Sequence, residues 1–585
     1  MCDTDHLLSN QTEQSGLSRR QILGAIGAVG AGAAAGTIID PALAAATGAT
    51  LDDKTQPASN AGYEPPTGLA KDSRAKSSAL SWLDNNSAGV FGMNDEVWAH
   101  HELSLQEWNS SLLQATFLEK NGFKVQWGAA GFPTAYVATY VSGSGKPTIG
   151  FSVECDALPG LSQNKGVPYH DPQEYIDDAF SPTYGVGHGC GHCALGTAAI
   201  YAAVATAKGL AASRTDGTVK VYGATAEEYL LGKAYAVSRG VYKGLDALVD
   251  WHPGGDTSTG WGSSNAMQSI SFTFLGIAGH GGTPLGNKSA LDAATITGML
   301  TEFLREENLA PSGRIHYAIR NGGQAPNVTP ELAEVWYYVR EGSPARVKIL
   351  ADKVVNCAKA AAMATQTSLV YKVTSGCWNK LPSQRGAELM YDNMQQIGAP
   401  VFSDADQKFA TTLQGNIGLG SGGYSSTVSA LSPPDPIFLG GGSTDVADIS
   451  WQAPTIQMGT PVWPQGFKSH TWAVASSAAS SGGHKALLSA AKYLAATAVD
   501  LYTQPNILGD MKDEFAKRTK NVTYEPLFPK DFEPPMYQPP DWFLKRTGQH
   551  WPPPNITWPR PKIISKEKFA DLGPSLPPQD LPPLT

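Results

Sequence analysis

Four short polar clusters interrupt apolar runs along this 585-residue chain: Glu154-Cys155-Asp156, Cys190-Gly191-His192, Glu227-Glu228 and His252. Three stand where a buried strand runs out, and Cys190-Gly191-His192 stands just before a helix. Open α/β sheets place their ligands outside the carboxyl ends of the strands. Singly, each cluster has a plainer explanation: a solvated turn, a structural imidazole, a helix cap. Their common position is what joins them. Hydrolysis of an amide needs a strong nucleophile, a proton shuttle to the leaving nitrogen and stabilisation of an oxyanion. Two cations held by thiolate, imidazole and carboxylate can acidify a bridging water and polarise the carbonyl. A nearby carboxylate that is not a ligand can then take and return the proton. Two consecutive glutamates supply one of each kind.

The elements that must position these residues follow from the apolar patterning. Pro147–Val153 is a buried strand running into Glu154. Thr218–Ala224 is a second, ending at Glu227-Glu228, and Ala247–Asp250 a third, ending at His252. The small-residue run from Cys193 to Ala212 fits a helix packed tightly on a sheet. Alternating strands and helices predict a largely parallel α/β sheet. The pattern changes between about 264 and 380. There it reads strand (Ser269–Gly276), helix (Ser289–Asn308), strand (Arg314–Ile319), strand (Ala333–Arg340), helix (Ala345–Ala361), strand (Ser368–Val373). This β-α-β-β-α-β order is the split ferredoxin-like unit, inserted into the first domain. The α/β pattern resumes after Leu381 and closes with a helix over Ala486–Leu501. A single amphipathic helix is expected through Trp98, Leu103 and Leu112 to Leu118.

Several motifs then carry a family resemblance. His188-Gly189-Cys190-Gly191-His192, Glu227-Glu228, Trp251-His252-Pro253 and Ser469-His470-Thr471-Trp472 resemble the dinuclear aminoacylase/carboxypeptidase superfamily, in its amidohydrolase branch. Glu154 to Gln163, Pro326-Asn327-Val328, Trp336 to Arg340 and Ser443-Thr444-Asp445-Val446 narrow the resemblance to p-aminobenzoyl-glutamate hydrolases. It spans roughly residues 80 to 520, in order. The resemblance implies two divalent metal ions, with Cys190 bridging them, His192 and His252 on one, and Glu228 and His470 on the other. Glu227 would be the general base and acid. His280 would reach a partner subunit's site from an inserted lid and stabilise the oxyanion, in a homodimer or a heterodimer with a related subunit. Asn327 and Arg340 are candidates for holding a substrate carboxylate, Arg340 fitting a strand-end ion pair equally well. Zinc suits the thiolate and manganese the other ligands, so the metal stays open. His100-His101-Glu102-Leu103-Ser104 resembles an early family motif in which His101 is structural. The implied substrate is a small amide bearing a carboxylate: an N-acyl or N-aroyl amino acid, a dipeptide or a related conjugate.

Position 193 departs from the resemblance, being Cys. Cys190-Gly191-His192-Cys193 spells a disulfide-isomerase site, which raises a thiol–disulfide oxidoreductase as a second reading. A binding protein that kept the fold and lost turnover is a third, opposed by the intact Glu227 and the full ligand set.

Composition frames the rest. Apolar residues at 42% and charged residues at 16% fit a globular protein with a large core, and a net charge of −9 argues against nucleic acid as a partner. Ser18-Arg19-Arg20-Gln21-Ile22-Leu23 matches a twin-arginine export signal, followed by a Gly- and Ala-rich run and small residues near Ala44 to Ala46. The expectation is a periplasmic or secreted protein with no stable membrane insertion. Six cysteines, one of them in the signal, are too few for a disulfide scaffold. The expected order is signal (1–46), linker (47–77), catalytic domain (78–263 and 381–520) around a lid and dimerisation domain (264–380), and a Pro-rich tail (521–585). That tail is too rich in Pro to form a packed core of its own.

Overall fold

The computed structural model describes residues 63–176, 182–431 and 442–552. The expected signal, most of the expected linker and the last part of the tail lie outside the described residues.

Along the chain the strands are β1 Lys124–Trp127, β2 Tyr136–Ser142, β3 Thr148–Val153, β4 Gly217–Gly223, β5 Ala247–Gly254, β6 Ser258–Gly260, β7 Ala266–Leu275, β8 Arg314–Asn321, β9 Leu332–Glu341, β10 Ser368–Cys377 and β11 Thr455–Pro461; two paired two-residue strands, Tyr175–Ile176 and Thr183–Tyr184, lie between β3 and β4. The larger sheet has the order β1-β2-β4-β3-β5-β11-β6. Its four central strands are parallel, and antiparallel strands close both edges. β3 is buried at every position, as a strand covered on both faces must be.

The helix over His192–Ser213 explains how the sheet end is so closely covered. Its length and apolarity would suffice to cross a membrane, yet 94% of its most apolar window is buried inside the fold. Small residues let it approach: a Cβ added to Gly196 would sit 2.4 Å from the carbonyl oxygen of Glu154 at the end of β3. The helix over Ser481–Thr503 packs beside it, and their Ala, Leu and Val side chains form the main core with β3, β4 and β5.

The second sheet is antiparallel, in the order β8-β9-β7-β10. With helices Ala290–Asn308 and Pro344–Thr365 it makes the split β-α-β-β-α-β unit expected there. Both helices start at serines, Ser289 and Ser343, whose hydroxyls accept from the first turn. Phe272, Phe274, Val335, Tyr337 and Val339 pack against Ala294, Leu350 and Val354 in a core of its own.

Two expectations are corrected. The amphipathic stretch to Leu118 is not one helix: Ser87–His100 and Trp108–Lys120 are separate, with a left-handed His101 (φ 32°) and Leu105 (φ 68°) between them. The break frees Glu102 to accept from Asn109 and Ser110 at the start of the second helix. The stretch read as linker is helical from Arg74, capped by Ser73, and Tyr63 already donates to Glu388 at 2.7 Å.

The described part of the tail lies on the body. Trp378 Nε1 donates to the Glu525 carbonyl and Gln268 Nε2 to that of Leu527, both at 2.7 Å. Phe543 is wholly buried against Trp108 and Trp127. Among its described residues the tail lends aromatic rings to the cores of the body.

Candidate metal centre

Loops deliver Glu154, Cys190, Glu227-Glu228 and His470 to the carboxyl ends of the parallel strands, and His252 stands near the end of β5 itself. Gly191, with φ 78°, turns the chain between Cys190 and His192, and a Cβ there would meet Trp463 and Pro253 at 3.2–3.3 Å. Only glycine gives both the left-handed turn and the room. The Glu227-Glu228 turn is flanked by left-handed Ala226 (φ 56°) and Leu230 (φ 50°), and His470 is left-handed as well (φ 64°). Backbone strain of this kind is held only where surroundings over-determine it. Here they do: the buried Glu107 carboxylate accepts from Ala226 N at 2.9 Å and from the Thr225 hydroxyl, and His470 N donates to the Gly189 carbonyl at 2.7 Å.

The side chains converge. Ligand atoms of Cys190, His192 and His252 lie within 4.8 Å of one another, as do those of Cys190, Glu228 and His470, so Cys190 belongs to both sets. Cys190 Sγ is 3.5 Å from His252 Nε2, and His470 Nε2 is 3.4 Å from Glu228 Oε2. A third set joins Glu154, His192 and Glu227, with Glu227 Oε2 3.8 Å from His192 Nε2.

The outer partners orient the inner ones. His192 Nδ1 donates to Asp156 Oδ1 at 2.9 Å, and His252 Nδ1 donates to the Pro253 carbonyl at 2.8 Å. In both rings Nε2 is therefore the nitrogen directed at the shared space. Asp156 Oδ2 accepts from Glu228 N at 2.9 Å and from Ser104 Oγ at 2.7 Å.

Burial and neighbouring charges shift the protonation of the cluster. Burial opposes the Asp156 charge, but the His192 hydrogen bond and charge hold its carboxyl at about 2. Burial pushes Glu228 up to about 8 and Glu227 well above the carboxylate range, the latter helped by Glu154. Burial and the neighbouring His192 push His252 down to about 4. Glu228 Oε1 is buried with no hydrogen-bond partner, and Glu154 Oε2 and His192 Nε2 make no hydrogen bond beyond lying 3.4 Å from each other. Buried carboxylate and imidazole atoms left this way suit cation ligands, so the donor set fits a pair of metal ions.

The cavity beside the cluster measures about 550 Å³, and Tyr338 and Arg340 of β9 line it. His280 and Asn327 do not reach it. They sit together on the exposed end of the second sheet, where His280 bridges Val328 and Gly281 N donates to the Asn327 carbonyl at 2.7 Å. Gly282 N donates to His280 Nδ1, which leaves Nε2 to carry the proton.

A buried ionic network was not foreseen. Lys233 Nζ pairs with Glu154 Oε1 at 2.8 Å and with Asp445, and its backbone N donates to Asp445 at 2.7 Å. Glu154 and Asp445 stand in recognisable motifs, but Lys233 carries no signal beyond being a lysine in an apolar helix.

Residues 150–382 match the model of peptidase family M20/M25/M40. One of the subunits of the p-aminobenzoyl-glutamate hydrolase of Escherichia coli (strain K12) is 34% identical over 468 residues, 75% of this chain and 94% of that one. The chain belongs to this M20 family. Other relatives are an Xaa-Arg dipeptidase of Mus musculus, 25% identical over 75% of this chain and 92% of its own, and a hippurate hydrolase of Campylobacter jejuni, 26% identical over 47% and 70%. This M20 peptidase is thus a metal-dependent amidohydrolase. The dithiol reading gives way with it: Cys193 is buried in the main apolar core, while Cys190 lines the cavity. Among the described residues all cysteines are free thiols.

Proposed function

We propose that the chain hydrolyses the amide bond of N-acyl or N-aroyl amino acids or related dipeptides, with a carboxylate beside the scissile bond. The observation that carries this is the pair of ligand sets sharing Cys190, with the Glu227 carboxylate at their edge. The relatives support the substrate class: their names specify p-aminobenzoyl-glutamate, Xaa-Arg dipeptides and hippurate.

Cys190, common to both ligand sets, would be shared between two divalent ions, with His192 and His252 holding one and Glu228 and His470 the other. Bound there, the ions supply Lewis acidity and an acidified water. Zinc fits the thiolate and manganese the carboxylate and imidazole partners. Glu227, held out of both ligand sets, takes a proton at its carboxylate and returns it to the leaving nitrogen. Arg340, on the cavity wall, receives the substrate carboxylate.

His280 and Asn327 act on a partner subunit's site, His280 donating through Nε2–H to the oxyanion and Asn327 holding the carboxylate. β8 is an edge strand of its sheet, and Met299, Phe303, Tyr317 and Ile319 beside it are exposed apolar residues, Phe303 at 73%. Such an edge with such a patch suits pairing with a second copy or a related subunit. Export by the twin-arginine route, proposed on Ser18 to Leu23, would deliver the folded protein with its metal.

Glu227→Gln tests the reading. Turnover of an N-acyl amino acid should fall by about 10²–10⁴-fold while metal content and melting temperature hold. Unchanged turnover would remove Glu227 from the chemistry.

A further inference from the structure

We infer that the cavity contains a subsite for an amine at the far end of the substrate's acyl group, formed by Asp250 and Gln457. This rests on the proposed hydrolysis of N-acyl amino acids.

The subsite follows from strand register. On β5, Asp250 and His252 are two residues apart and so share one face. Across the sheet, Gln457 of β11 lies opposite Asp250 and Gly459 opposite His252; on β6, Gly260 and Ser258 continue the same two rows. The row of His252 belongs to the metal centre. The row of Asp250 lies one pleat further in, roughly 6.6 Å away. Each row contains a glycine. Gly459 stands in the row of His252, and Gly260, where an added Cβ would meet nothing within 4 Å, in the row of Asp250. A flat acyl group can lie across the two rows from the metal centre to Asp250, a span close to that of a benzene ring with its para substituent.

What waits at the end is specific. Asp250 is 3% exposed and lines the cavity with Gln457. Gln457 Nε2 donates to Asp250 Oδ2 at 2.6 Å, which fixes the amide. Asp250 Oδ1 and Gln457 Oε1 are then both buried without a hydrogen-bond partner. Both are acceptors, and a buried acceptor left unpaired costs about 1–3 kcal/mol. A donor with at least two hydrogens, such as a primary amine, can serve both. Lys380 lines the same cavity. Its charge offsets that of Asp250, so a neutral arylamine and an alkylammonium are both admissible forms of the amine.

The test compares kcat/KM for N-(4-aminobenzoyl)-glutamate and N-benzoyl-glutamate, which differ only in the amine, with N-(4-aminobutanoyl)-glutamate and N-butanoyl-glutamate as the aliphatic pair. The wild type should favour an amine-bearing member by about 10- to 100-fold. Asp250→Asn should bring that ratio near one, and Gln457→Met, which keeps the carboxylate, should lower it in part. Which pair carries the preference tells arylamine from alkylammonium. Ratios near one for both pairs in the wild type, or a ratio unmoved by both variants, would overturn the subsite while leaving the hydrolase reading intact. If the wild type cleaves none of the four, the hydrolase reading fails and the subsite with it.

Discussion

Asp156 and His192 are joined by a 2.9 Å hydrogen bond that decides which imidazole nitrogen is available to a metal. Because the carboxylate accepts from Nδ1, Nε2 is the nitrogen that faces Cys190, Glu154 and Glu227. The same carboxylate takes the backbone N–H of Glu228, so one buried group sets a ligand in each half of the centre. Asp156→Asn keeps the shape and can offer its amide where an acceptor is needed. Metal affinity should fall by about 10–100-fold, read by competition with a chromophoric chelator, and activity at limiting metal should fall with it. Unchanged affinity would make the bond incidental.

Lys233 stabilises the fold beneath the centre. Its side chain is fully buried between Glu154 and Asp445, whose side chains are at most 4% exposed. Lys233→Met removes the cation and strands two carboxylates. The expected loss is about 3–5 kcal/mol in urea unfolding, with part of it recovered by adding Asp445→Asn. A melting temperature equal to wild type would contradict this.

Asp448 should impose a pH dependence on stability. Burial raises its carboxyl from 3.8 to about 8, against the opposing hydrogen bond from the Tyr524 hydroxyl at 2.6 Å. The folded state thus holds a proton that the unfolded chain releases. Its contribution is complete below pH 4 and is lost as pH rises through 8, at no more than about 1.4 kcal/mol per pH unit. Asp448→Asn should flatten that fall, so the stability difference between variant and wild type should grow in the variant's favour from pH 5 to 8.

His280 acting in trans makes a complementation prediction. Glu227→Gln and His280→Ala should each be nearly inactive alone. Mixed and re-equilibrated as homodimers, they should recover about a quarter of wild-type activity, because half of the sites in each mixed dimer regain both groups. No recovery would place His280 in its own chain's chemistry or outside it.

What could be read from the sequence was what lies contiguous in it. Glu154 to Asp156, Cys190 to His192 and Glu227-Glu228 each combine several polar groups in one turn, and the apolar runs before them betray the strands. The β-α-β-β-α-β order was legible because each element there is long and periodic. What pairs only in space was not. Lys233 meets Glu154 and Asp445 from three distant segments, and Asp250 meets Gln457 only through the register of β5 and β11. The split at His101 was hidden too, because the apolar spacing continues across it while the left-handed turn depends on what Glu102 and Ser104 reach.

The central claim is that Cys190 bridges two metal ions, and metal analysis of purified wild type beside Cys190→Ser tests it most directly. The expected result is about two divalent ions per wild-type chain, zinc or manganese, and a much reduced content in a folded Cys190→Ser. A wild type that takes up no metal when supplied with both, or a Cys190→Ser variant holding the full complement, would contradict it.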